Sequence, residues 1–170
     1  MNNLYNQIKQ KLIDNEINKN VKDYSINKGI LDTYYSIGQM LFKAGKHYGE
    51  GIIEKYANKL AKDLSSKFNA TLLKRIRKFY LLIEKGAPLA HQLSWSHYVE
   101  LLPLNDIDEI CYYITLVQEN NISRNQLRTK IKNKKFIRLP EKTIICKKDN
   151  KYIIEYSSDK RIVSREYILT

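Results

Sequence analysis

The feature that most constrains this chain is a three- and four-residue recurrence of apolar side chains running from residue 2 to about residue 135. Such a pattern folds as amphipathic helices packed along their apolar stripes. Leu4, Ile8 and Leu12 share one stripe, with Tyr5 and Ile13 beside it. Ile26, Ile30, Tyr34, Ile37 and Leu41 form the next, flanked by Leu31, Tyr35 and Phe42. Gly45 and Gly49 around Lys46-His47-Tyr48 predict a loop. A third helix of four turns carries Ile52, Ile53, Tyr56, Ala57, Leu60, Ala61, Leu64 and Phe68. Asn69 is placed to cap a fourth, reaching about Lys85. Its apolar positions are Leu72, Leu73, Ile76, Phe79, Tyr80 and Ile83, and Gly86 and Pro88 stop it.

A short helical piece, Ser96 to Leu102, follows; Trp95 beside it reads as a core anchor, and Pro103 interrupts. Asn105 or Asp106 starts another long helix with Ile107, Ile110, Cys111, Ile114 and Val117 on one side. Asp106, Asp108 and Glu109 complement the dipole of its first turn. After Asn120-Asn121, Ser123-Arg-Asn-Gln126 is a capping box, in which the Ser accepts from the third helical amide and the Gln reaches back. Leu127 and Ile131 then face inward.

Beyond Lys135 the period changes. Residues 143–147 and 151–156 read as a hairpin about Lys148-Asp-Asn150, Ser157 to Lys160 as a second turn, and Ile162 to Leu169 as a third strand. The expected fold class is mainly α: a helical domain over 1–135 containing a helix-turn-helix-like pair, then a small β appendage over 136–170.

Charge narrows the function. Lys and Arg number 30 against 18 Asp and Glu, a net of +12. Residues 1–120 hold 16 basic and 13 acidic side chains, whereas residues 121–170 hold 14 and 5. An AT-rich genome would raise Lys everywhere and leave this clustering unexplained. The asymmetry points to a polyanion, nucleic acid first and an anionic membrane surface second. No apolar run approaches the ~18 residues of a membrane span, and residues 1–7 lack the pattern of a secretory leader. Cys111 and Cys146 fit no metal spacing and suit free thiols in a reducing compartment. The expectation is a soluble cytoplasmic protein without membrane, cofactor or small-molecule substrate.

The strongest local signal for chemistry is the helix over 105–119, a turn of three or four residues, and a second helix over 123–133 held by two apolar anchors. That is the arrangement which lies in the DNA major groove. Arg124, Arg128 and Lys132 form a basic stripe at i, i+4, i+8. Arg124 and Arg128 could reach bases or phosphates, while Lys130, Lys132, Lys134 and Lys135 would neutralise the backbone. The alternative is a helical hairpin with a solvated basic face. A second candidate is Lys74, Arg75, Arg77 and Lys78 on helix 70–85, with the same two readings. His91 and His97 are six residues apart with no Cys or carboxylate at ligand spacing, and His97 reads as a packed, hydrogen-bonded helix residue. Pro140-Glu141 with Asp149-x-Lys151 superficially offers the carboxylates and lysine of a metal-dependent nuclease. Asp149-Asn150 is, however, ordinary turn chemistry, so no catalytic or metal residue is assigned.

Several segments resemble the YhcG family, bacterial proteins with a helical N-terminal domain and a PDDEXK-type nuclease domain. The carriers are Tyr34-Tyr-Ser-Ile-Gly38, Tyr56-Ala-Asn-Lys-Leu-Ala-Lys-Asp-Leu64, Ile76-Arg-Lys-Phe-Tyr80, Gln92-Leu-Ser-Trp-Ser-His-Tyr98 with Leu101-Leu102, and Ser123-x-x-x-Leu127-x-x-x-Ile131. They cover roughly residues 25–132. The family usually has Tyr-Trp where this chain has Tyr34-Tyr35, and Gly-Phe-Ser before the fourth helix where this chain has Phe68-Asn-Ala-Thr71. Ile144 to Lys148, Ile153 to Tyr156, Val163 and Glu166 to Leu169 resemble the last strands of the nuclease domain. The family's metal-binding Asp and Glu-x-Lys would lie between Lys135 and Lys142, where this chain has a few residues, so none is carried over. The resemblance implies a family protein with its catalytic core largely missing. The expected function is non-catalytic DNA binding. The alternatives are a protein-interaction module, forming a homodimer or joining full-length family members, or a nuclease remnant that binds no DNA.

Overall fold

The computed structural model describes residues 2–20, 26–137, 144–148, 151–158 and 161–168. The expected turns at Asp149-Asn150 and Asp159-Lys160, and Pro140-Glu141, lie outside them. Mainly helical, the described chain contains seven helices and divides into two compact units, Met1–Glu84 and Lys85–Thr170. No helix among the described residues is long and apolar enough to cross a membrane.

The first unit holds α1 (Asn2–Asn20), α2 (Ile26–Tyr48), α3 (Gly51–Asp63) and α4 (Ala70–Glu84). Its core is the set of stripes expected from periodicity. Ile8 and Leu12 of α1, Leu31, Ile37 and Leu41 of α2, Ile53 and Leu60 of α3, and Leu73, Ile76 and Phe79 of α4 are all buried. α2 and α4 cross at Gly38. A Cβ there would lie 2.5 Å from Tyr80 Cβ and 2.6 Å from the Ile76 carbonyl oxygen, so only glycine permits this approach.

Three local expectations are corrected. The loop predicted across 45–49 is helical as far as Tyr48, and only Gly49, at φ +82°, ends α2. Gly45 is an interior helix residue, with Arg77 and Glu50 lying 3.4 and 3.5 Å from where a Cβ would sit. α3 stops at Asp63, a turn earlier than its stripe suggests. Phe68 is still buried, but it is carried by a turn in which its amide bonds the Ser65 carbonyl at 3.1 Å. On α4 the buried residue of the last turn is Leu82, whereas Ile83 is half-buried. The Asn69 cap forms as expected, its Oδ1 accepting from the Leu72 amide at 3.0 Å.

The second unit holds α5 (Trp95–Leu101), α6 (Ile107–Asn120) and α7 (Arg124–Lys132). Trp95 is only half-buried, which corrects its reading as a core anchor. Tyr98 takes that place, fully buried, its hydroxyl donating to the Pro88 carbonyl at 2.8 Å and accepting from the Ala90 amide at 2.7 Å. Those bonds satisfy the backbone of the segment entering α5, and burial holds the phenol above its ordinary range. Ile110, Cys111, Ile114 and Val117 of α6 are buried as expected. Of the two anchors on α7, Leu127 is buried and Ile131 only half-buried, because α7 is short and its last turn lies at the surface. The backbone continues as strands β1 (Ile144–Lys148), β2 (Lys151–Ser158) and β3 (Arg161–Ile168). They are antiparallel in the order β1-β2-β3, with Ile145 opposite Ile154 and Glu155 opposite Ser164.

Candidate nucleic-acid interface

Residues 121–123 join α6 to α7, and each end of this connection is fixed by sequence. Asn121 adopts the left-handed conformation, φ 46° and ψ 44°, that closes α6, a role Asn fills when Gly does not. Ser123 caps α7: its hydroxyl accepts from the Gln126 amide at 3.3 Å while Gln126 Oε1 accepts from the Ser123 amide at 2.7 Å. The capping box read from the sequence is therefore present.

α5 organises this turn from outside. Its own N-terminus is a second capping box, Ser94 with His97. His97 Nδ1 accepts from the Ser94 amide at 3.0 Å, which leaves the proton on Nε2 to be donated to the Ile122 carbonyl at 2.9 Å. The expected hydrogen-bonded helix histidine is thus a tie between α5 and the residue preceding the Ser123 cap. One helical turn further on, Glu100 faces α7. Its carboxylate accepts from Arg124 Nε at 2.8 Å and from Arg128 Nη2 and Nε at 2.7 and 3.1 Å. The Glu100 side chain is 14% exposed, against 44% for Arg124 and 54% for Arg128. Arg128, and then Arg124, hold the Glu100 carboxyl below its ordinary range against the opposing effect of burial. Glu100 in turn raises the Arg128 guanidinium.

The C-terminal end of α7 is anchored by α6. Tyr113 donates to the Lys130 carbonyl at 3.4 Å and accepts from the Phe136 amide at 3.3 Å, and the Phe136 ring packs 5.5 Å from that of Tyr112. Lys134 takes φ 51°, and the Lys135 amide returns to the Lys130 carbonyl at 3.1 Å. A tight turn therefore sets the backbone that carries Lys134 and Lys135. Lys132, Lys134 and Lys135 are exposed and Lys130 is half-buried. None of the four has an acidic partner among the described residues.

The six cations expected on this helix thus fall into two groups. Arg124 and Arg128 share one carboxylate, and Lys130, Lys132, Lys134 and Lys135 follow them without an acidic partner among the described residues. On α4, Lys74 pairs with Glu54 and Arg77 with Glu50, while Arg75 and Lys78 are exposed without an acidic partner among the described residues. The Lys74-to-Lys78 run is therefore half neutralised within its own unit. Sequence reasoning missed Glu100, whose partners lie 24 and 28 residues away. Its one sequence signal is isolation, because residues 86–123 contain no Lys or Arg. No group of three His, Cys, Asp or Glu side chains converges among the described residues.

Residues 4–138 match the family described as the DUF1016 N-terminal domain. No curated protein and no solved structure matches the chain.

Proposed function

The chain belongs to the DUF1016/YhcG family through its N-terminal domain, and from that premise we propose that it is a non-catalytic DNA-binding module. α7 and the turn after it lie along the phosphate backbone. Lys130, Lys132, Lys134 and Lys135 supply most of the attraction, with Arg124 and Arg128 at the other end of the helix. The observation that carries this reading is a run of lysines with no acidic partner among the described residues, on a backbone tied to α6 through Tyr112 and Tyr113. Cations that neutralise phosphates release the condensed counterions, which favours binding. The division into a helical domain over 1–135 and an appendage over 136–170, descended from the end of a nuclease domain, belongs to the same proposal. Cytoplasmic residence follows from a DNA partner.

The test is fluorescence anisotropy of a labelled random duplex across a salt series. At about 0.9 per phosphate neutralised, four lysines give a slope of about −4 in log affinity against log salt, with binding persisting near ~150 mM salt. A slope shallower than about −1 would remove the phosphate-binding reading.

A second reading, self-association or assembly with full-length family members, draws on the strand order β1-β2-β3, in which each outer strand has one paired edge. An unpaired edge is a template for another chain. Light scattering separates the two: a dimer that persists in high salt favours assembly, and a monomer that binds duplex favours the DNA module.

A further inference from the structure

A recognition helix reads sequence with the side chains of its N-terminal turns, which place bidentate donors and acceptors on base edges: Arg on guanine, Asn or Gln on adenine. On α7 those residues are Arg124, Asn125, Gln126 and Arg128. Three of the four are engaged inside the protein. Arg124 and Arg128 are bound to Glu100, and Gln126 is held by the Ser123 amide. Thr129, the next polar side chain on the exposed surface, donates its hydroxyl to the Asn125 carbonyl at 3.0 Å. Withdrawing either arginine toward a base would weaken the compensation of a carboxylate that is 14% exposed, a cost that competes with the new base contact. The lysines stand at the opposite end of α7 and in the turn beyond, away from the positions that enter the groove.

We propose that this module binds duplex DNA independently of base sequence, and that Glu100 sets this behaviour by withdrawing Arg124 and Arg128 from the groove. The proposal rests on the DNA-binding reading and adds its specificity class: phosphate contacts at the lysines, no direct readout. Glu100 is then a specificity-determining residue that touches no DNA. Its negative charge also lowers the cationic strength that the two arginines offer to phosphates.

The experiment is a competition assay on the full chain. A labelled random duplex is displaced by unlabelled duplexes of equal length, one GC-rich, one AT-rich and several of mixed sequence, and the strongest binders are then selected from a randomised pool. Affinities within about threefold of one another and no enriched motif are expected, whereas a sequence reader gains at least ~10³-fold over random DNA. Any duplex bound more than about tenfold tighter than the rest overturns the proposal while leaving the DNA-binding reading intact. Absence of all duplex binding near ~100 mM salt overturns both. Glu100→Gln, measured well below its melting temperature, frees two cations; its salt slope should steepen by up to about 1.8, with tighter binding at low salt. Weaker binding with a shallower slope would show Glu100 to be a support for arginine contacts, contrary to the proposal. Should that variant not fold, the wild-type competition decides alone.

Discussion

Replacing Glu100 by Gln keeps the shape of the side chain and removes its charge. In the native protein the two oxygens accept three hydrogen bonds, from Arg124 Nε at 2.8 Å and from Arg128 Nη2 and Nε at 2.7 and 3.1 Å. Hydrogen bonds to charged groups contribute about 1.5–3 kcal/mol where they are sheltered, and exposed ion pairs only about 0.2–1 kcal/mol. The carboxylate is 14% exposed, but the guanidinium side chains are 44% and 54% exposed, so solvent screens the cationic ends. The lower range therefore governs, near its top for Arg128, which binds in bidentate fashion. The two arginines together give an expected loss of about 1–2 kcal/mol, or about 2–8 °C in Tm for a chain of this length. The pH dependence provides an internal control. The arginines hold the folded-state carboxyl below the ordinary glutamate value of 4.5. As pH falls, the unfolded chain takes up this proton before the folded chain does. The contribution is therefore full above 4.5 and is lost as pH drops through the lowered folded value. Urea unfolding followed by circular dichroism should show a constant gap between wild type and Glu100→Gln near neutrality, narrowing in acid. A gap below about 0.3 kcal/mol at neutral pH, or one that persists undiminished in strong acid, would mean that the Glu100 charge does not hold α7.

Two further substitutions test the scaffold. Gly38→Ala inserts a Cβ 2.5 Å from Tyr80 Cβ and 2.6 Å from the Ile76 carbonyl oxygen, forcing α2 and α4 apart. A net destabilisation of about 1–3 kcal/mol in urea unfolding is expected, despite the better helix propensity of alanine. His97→Ala removes both the α5 capping box and the bond to the Ile122 carbonyl. It should cost about 1–2 kcal/mol and raise hydrogen exchange first at the amides of α5 and α7. Uniform exchange across both units would argue against a local tie.

Much of the helical architecture was legible because the core stripes repeat at helical spacing, and capping residues such as Asn69, Ser123 and Gln126 act within three residues of their own position. Errors arose where a residue kept the helical phase without the helix, or the helix continued through a residue that usually breaks it. Phe68 falls in step with Leu60 and Leu64, yet it reaches the core from a turn. Gly45 looks like a break, but helix α2 runs through it beneath the Arg77–Glu50 pair. Size misled at Trp95, which is half-buried, whereas Tyr98 three residues on is fully buried with its hydroxyl bonded to the Pro88 and Ala90 backbone. The basic residues of α7 were legible as a charge cluster. Their division into paired arginines and lysines without a described acidic partner was not, because Glu100 meets the arginines only through the packing of α5 on α7.

Whether the lysines at the end of α7 neutralise DNA phosphates is decided by comparing salt slopes of the wild type and a Lys132→Ala/Lys134→Ala/Lys135→Ala variant on one duplex. These side chains are exposed and have no acidic partner among the described residues, so their removal should leave the melting temperature within about 1–2 °C of wild type. Three lost phosphate contacts should flatten the slope by about 2.7 and weaken binding alike on every duplex. An unchanged slope, with the variant still folded, would place the DNA contact elsewhere than on these lysines.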